Sequence, residues 1–174
     1  MAQVGFGRAS PADIEQLLLI HEHSANLTRR TPYVATRRGY AMTRFILAAL
    51  SKDSVSSTTP AINAQQRLIV LTGHDTNLSN LAGVFGLDWH LPDQPDITAP
   101  GTMLAFERWR AKETGATVLR MRLFYQGMDQ VRTLSDTPLR TLTIVPPACD
   151  NAGLCQLDSA LSRINSILPK DCAF

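Results

Sequence analysis

The residues best suited to chemistry are Gly73-His74-Asp75-Thr76-Asn77. They lie between a short apolar run, Leu68-Ile69-Val70-Leu71, and a helical apolar pattern at Leu78, Leu81, Ala82 and Phe85. The order predicts strand, tight turn, helix: a βα unit whose β-branched strand is buried on both faces. Ligands of open α/β sheets gather at the carboxyl edge of such strands. A helix starting there adds free N–H groups and its positive dipole end, which favours an anion. Gly73 permits the bend, His74 can donate to a phosphate oxygen, and Asp75 can give or take a proton. Thr76 or Asn77 can cap the helix, and Asp75 could equally be nothing more than its N-cap.

Other candidates carry less. His21 and His23 are two apart on a predicted helix, so they point to different faces and do not share a metal easily. Asp88 and His90 flank Trp89 without metal spacing. Arg29-Arg30 and Arg37-Arg38 could bind phosphate, but paired arginines on a helix usually form a solvated face. Neither G-x-S-x-G, G-x-x-x-x-G-K-[ST] nor G-x-G-x-x-G occurs, so serine-hydrolase, P-loop and dinucleotide-binding readings lack their motifs.

The elements that must position these residues can be read along the chain. Ser10 and Pro11 open a helix through Ile14, Leu17, Leu18 and His21, and Thr31-Pro32 interrupts it. A second helical pattern runs through Tyr40, Phe45, Ile46 and Leu50. Residues 51–66, rich in Ser, Thr, Gln and Asn, read as a surface loop. Leu91 to Gly101 holds three prolines and is another loop. Strands are expected at Met103 to Trp109, Thr117 to Tyr125 and Leu142 to Val145. An amphipathic helix closes the chain at Leu157, Leu161, Ile164 and Ile167.

Composition narrows the function classes. The 174 residues carry 17 Lys+Arg against 15 Asp+Glu, a formal charge of +2 that argues against a strongly electrostatic nucleic-acid binder. With 44% hydrophobic residues there is apolar surface enough to offset chain entropy, so disorder is not expected. The longest apolar runs, Leu17 to Ile20 and Leu68 to Leu71, are far short of the roughly 20 residues a membrane-spanning helix needs. Met1 to Arg8 has no signal-peptide pattern. The three cysteines, Cys149, Cys155 and Cys172, have no C-x-x-C spacing.

Leu68 to Asn77 (LIVLTGHDTN), with Asn80-Leu81-Ala82-Gly83, Trp89, Leu91-Pro92, Gln94-Pro95-Asp96 and Phe106-Glu107-Arg108-Trp109-Arg110, resembles the histidine acid phosphatases. The likeness is to their bacterial branch of periplasmic phytases and glucose-1-phosphatases. It runs over nearly the whole chain, from Gly5-Phe6-Gly7-Arg8 and Arg30-Thr31-Pro32 to the end. The resemblance implies an α/β fold, the C-terminal part of a phosphoglycerate-mutase-like (histidine phosphatase) architecture. It implies hydrolysis of phosphomonoesters such as inositol or sugar phosphates, through a phosphohistidine and without a metal or other cofactor. His74 would bind the phosphoryl oxygens, Asp75 would protonate the leaving oxygen, and Arg38 and Thr76 would line the substrate pocket.

The family's nucleophile lies in an R-H-G-x-R-x-P motif, and none of His21, His23, His74 or His90 stands between Arg and Gly. The chain alone is therefore expected to be inactive and to need an N-terminal half that carries the nucleophile. Thr36, where relatives often place arginine, and Gly101-Thr102-Met103-Leu104, in place of Gly-Gly-Glu-Leu, are departures that bear on substrate preference. The resemblance also implies an oxidising, periplasmic setting. Cys149 and Cys155 bracket a turn-rich segment and are expected to pair, leaving Cys172 for a partner in the other half. The organisation expected is a helical segment at 1–50, a loop at 51–66 and an α/β segment at 67–174, together one incomplete domain. Two rivals follow from the same residues. One is a non-catalytic phosphate-binding or interaction module that kept the His-Asp pair; the other is a metal-binding helix around His21 and His23. Neither a nucleic-acid nor a membrane partner is expected.

Overall fold

A computed structural model describes residues 4–51, 62–63, 65–147, 149 and 154–172. Most of the expected loop at 51–66, the first residues of Met1 to Arg8 and the turn-rich 150–153 lie outside the described residues.

The first helix, α1 (Pro11–Thr28), is fixed at its start by a reciprocal cap. Ser10 Oγ accepts from the Asp13 N–H at 3.2 Å, and the Asp13 carboxylate accepts from the Ser10 N–H at 2.8 Å. The second helical pattern is a later helix, α3 (Tyr40–Ser51), and a short helix not expected from the sequence, α2 (Pro32–Arg38), precedes it and is parted from it at Gly39. Helix α4 (Asp75–Phe85) ends on Gly86, whose φ of 65° is the left-handed stop glycine adopts without strain.

Strands β1 (Met103–Arg110) and β2 (Thr117–Tyr125) follow, then a short helix α5 (Met128–Thr133), β3 (Arg140–Ile144), a brief β4 (Leu154–Gln156) and helix α6 (Leu157–Ile167). All pairings are antiparallel, with β2 at the centre. It pairs with β1 on one edge, and on the other with β3 over Met121–Tyr125 and β4 over Val118–Arg120. Alternation along β2 sets the layers: Leu119, Met121, Leu123 and Tyr125 are buried, while Arg120, Arg122 and Phe124 face outward. The buried face shares one core with Leu81, Val84 and Phe85 of α4, Ile46, Leu47 and Leu50 of α3, and Leu157 and Ile164 of α6. Helices on one face of a sheet are what an α/β chain with this patterning must build to hide both apolar surfaces.

Leu68-Ile69-Val70-Leu71 departs from expectation. Among the described residues it belongs to no strand, and Leu68 and Val70 are 80% and 71% exposed. A strand exists only through its neighbours' backbone groups, and the observed sheet offers this segment none. Helix α1 has a similar deficit: Ala25 is its one buried residue, and Leu17, Leu19, Ile20 and Leu27 are exposed.

Candidate active site

His74 is the N-cap residue of α4, with extended backbone (φ −120°, ψ 173°), and Asp75 is the first helical residue. Asp75 is therefore not the N-cap. The Asn77 side chain turns back to accept the His74 N–H at 2.9 Å, which fixes the bend before the helix. A Cβ on Gly73 would come within 2.9 Å of that Asn77 oxygen, so a larger residue there would press on the side chain that fixes the bend. The His74 ring is exposed and makes no hydrogen bond among the described residues.

Both Asp75 oxygens accept donors. Oδ1 takes the Thr76 N–H at 2.7 Å and the Thr76 hydroxyl at 3.3 Å. Oδ2 takes the Arg29 guanidinium. That guanidinium is the main reason the Asp75 carboxyl lies below the usual carboxylate range; the Thr76 N–H and hydroxyl add to it, and burial opposes them.

Arg29 and Arg30 diverge along α4. The carbonyl of Arg30 sits against Gly83, so the end of α1 lies beside the middle of α4. From there Arg29 reaches Asp75 at the N-terminus, and Arg30 reaches the Leu87 carbonyl and Asp88 at the other end. Both are half-buried and ion-paired, which corrects the solvated-face expectation for this pair. Nothing in their spacing foretold it, because the opposing ends belong to a helix some 45 residues away.

Arg38 is exposed at the end of α2 and makes no hydrogen bond or ion pair with His74 or Asp75. Its neighbour Gly39 lies against Asn80, little more than a turn into α4, so Arg38 and the His-Asp pair are on adjoining elements. An open groove of about 450 Å³ lined by Pro32, Tyr33, Thr36, Val84 and Ile164 includes none of these residues. His23 Nδ1 lies 2.6 Å from the Leu19 carbonyl, one turn back on α1. No cluster of three or more potential metal ligands occurs among the described residues.

The Phe106 to Arg110 stretch is structural. Phe106 packs on Phe85 at 4.9 Å between ring centres, and Arg108 donates to the Leu50 carbonyl at 2.7 Å. Glu107 joins Arg120 and Arg122 on the outer sheet face and accepts from the Trp109 indole at 3.0 Å. Burial pushes the Glu107 carboxyl up, but the Arg122, Trp109 and Arg120 donors together outweigh it and leave it below the ordinary value. The segment from Trp89 to Thr98 is likewise fastened, by Trp89 Nε1 on the Ile97 carbonyl at 2.8 Å and Gln94 on the Gln126 carbonyl at 3.1 Å. Cys149 and Cys155 form a disulfide, and Cys172 is free.

Residues 12–124 match the family described as "Histidine phosphatase superfamily (branch 2)". The chain is 32% identical to phytase AppA of Escherichia coli over 173 residues, 95% of this chain and 40% of that protein. It is 27% identical to the glucose-1-phosphatase of Salmonella typhimurium, over 78% of this chain and 33% of that one. The solved structure of Hafnia alvei phytase in complex with myo-inositol hexakis sulphate is similar at 28% identity with a TM-score of 0.89. That match covers all of this chain and 45% of the phytase. The chain thus spans less than half the length of these relatives.

Proposed function

The chain belongs to the histidine phosphatase superfamily, branch 2, and on that premise we propose that it supplies the proton-donor half of a phytase-like acid phosphatase. The observation that carries this is the placement of His74 and Asp75 side by side at the N-terminus of α4, an anion-favouring position. In this reading His74 binds the phosphoryl oxygens and Asp75 protonates the departing alkoxide. Thr76 steadies Asp75, and Arg38 meets further phosphates of a substrate such as an inositol phosphate or a sugar phosphate. The inositol hexakis sulphate complex of the Hafnia phytase supports a multiply anionic ring as ligand.

The nucleophile comes from a segment bearing R-H-G-x-R-x-P, joined to this chain or separate, which completes the domain. The exposed Leu68, Val70 and Leu71 and the apolar residues of α1 are the surface it would cover. The relatives' greater length supplies chain enough to do so. Residues 1–174 would then be one incomplete domain, at work in the periplasm, where the Cys149–Cys155 bond persists. A second reading, a phosphate-binding module without catalysis, is favoured by one feature: Asp75 is held as an anion by donors on both oxygens.

The two readings part on leaving-group dependence. In the chain completed with the nucleophile segment, Asp75→Asn should slow hydrolysis of an alkyl phosphate by about 10²–10⁴-fold. It should spare p-nitrophenyl phosphate, whose leaving group barely needs a proton. Equal losses on both substrates would make Asp75 a structural residue and leave the binding module.

A further inference from the structure

We propose that Arg29 is shared between Asp75 and the bound phosphoryl group, so that substrate binding itself releases Asp75 to take up the proton it delivers. The inference rests on His74 and Asp75 being the phosphate half-site. Three features of the structure lead to it.

The first is the accounting at Asp75. With Arg29 on Oδ2 and Thr76 on Oδ1, every contact to the carboxylate is a donor. A proton on Oδ2 would face guanidinium N–H groups, which accept nothing. Keeping Arg29 on Oδ2 favours the charged carboxylate, and so works against Asp75 as an acid.

The second is the accounting at Arg29. Its guanidinium has five N–H donors, and Asp75 is its only partner among the described residues. The side chain is 26% exposed, so it is part-buried and still reached by solvent.

The third is position. Arg30 places its cation at the C-terminal end of α4, where the helix dipole favours it; Arg29 places one at the N-terminal end, where the dipole opposes it. Only an anion makes that site favourable for arginine. Asp75 is that anion in the free protein, and a phosphate at His74 would be the second.

Of the other charged groups on the packed elements, two arginines are committed elsewhere, and Arg38 and the His74 ring have no ion-pair partner among the described residues. Arg30 holds Leu87 and Asp88, and Arg37 of α2 holds Asp171 at 3.4 Å. Arg38 is exposed, and His74 adjoins Asp75 in the same turn. When phosphate binds, guanidinium N–H bonds pass from Asp75 Oδ2 to phosphoryl oxygens. Oδ2 then takes one proton from solvent, and the carboxyl becomes neutral beside the leaving oxygen.

The test uses the chain itself, inorganic phosphate as probe, and the carbon NMR titration of the Asp75 carboxyl. Saturating phosphate should raise the Asp75 titration midpoint in the unsubstituted chain. Arg29→Gln should raise the midpoint without phosphate, at least halve the further rise that phosphate causes, and weaken phosphate binding about tenfold. Arg29→Lys, which keeps the charge without the planar fork, should fall between the two and guards against a folding defect in the glutamine variant. Phosphate that perturbs the His74–Asn77 amides but leaves the Asp75 midpoint unmoved, or moves it equally in all three proteins, would overturn the sharing alone. No perturbation of those amides at any phosphate concentration would overturn the half-site, and the inference with it.

Discussion

Gly83→Ala should destabilise the chain although alanine is the better helix former. Gly83 lies inside α4 where the end of α1 and helix α2 cross it. A Cβ there would stand 2.4 Å from the Arg30 carbonyl oxygen and 2.6 Å from the Ala35 Cβ. Neither atom belongs to a flexible side-chain end, so relief requires the α1–α2 corner to retreat by about 1 Å, a gap that forfeits up to half the dispersion contact across it. The surroundings have no slack, since Ala35, Ala82 and Val84 are all buried to within about 2%. Because backbone and not a side-chain end must move, the overpacking cost belongs in the upper part of its usual range, about 2–3 kcal/mol, and replacing glycine in a helix interior returns nearly 1 kcal/mol. The net loss is about 1–2 kcal/mol, a fall in Tm of about 2–8 °C for a chain of this size. Circular dichroism melts of the two proteins measure it. Gly86→Ala is the control: its Cβ meets nothing closer than 3.8 Å, so its cost is only that of a left-handed φ. A Gly83→Ala protein as stable as the parent would refute the tight α2–α4 crossing, and with it the placement of Arg29 against Asp75.

Glu107 makes stability depend on pH. Its folded-state carboxyl lies below the ordinary value of 4.5, so its stabilising contribution is complete above that value and is lost as pH falls through the folded-state value. Glu107→Gln should therefore lower stability near neutrality and flatten its decline in acid, as urea melts at several pH values would show; parallel curves for both proteins would contradict the Arg120–Glu107–Arg122 account. Thiol titration of denatured, unreduced protein from an oxidising compartment should find one free thiol, Cys172, with Cys149 and Cys155 mapped together. Loss of that bridge should cost about 2–2.5 kcal/mol by chain entropy, and three free thiols would contradict it.

Where one segment contains its own instructions, the sequence was readable. Thr117 to Tyr125 buries every second residue from Leu119 onward, as a strand with one face on the core does, and Ser10-Pro11-Ala12-Asp13 carries its whole cap within four residues. Leu68 to Leu71 has the composition of a buried strand, but burial depends on a neighbour that composition does not describe. Helices α2 and α5 and strand β4 escaped notice because seven, six and three residues are too few to display a period. The His-Asp turn was legible from glycine, strand-like and helical patterns in a row. Arg29 was not, because its role depends on where α1 ends relative to α4, a matter of tertiary packing.

The central claim is that this chain carries the proton-donor half of a phosphatase site and not its nucleophile. The direct measurement is p-nitrophenyl phosphate hydrolysis at acid pH, with acid-labile phosphohistidine trapping, on the 174-residue chain alone and on the chain completed with an R-H-G-x-R-x-P segment. The chain alone should match a denatured control and trap no phosphohistidine, while the completed chain turns over and is labelled within that segment. Robust turnover by the chain alone, with phosphohistidine at His74, would contradict the account.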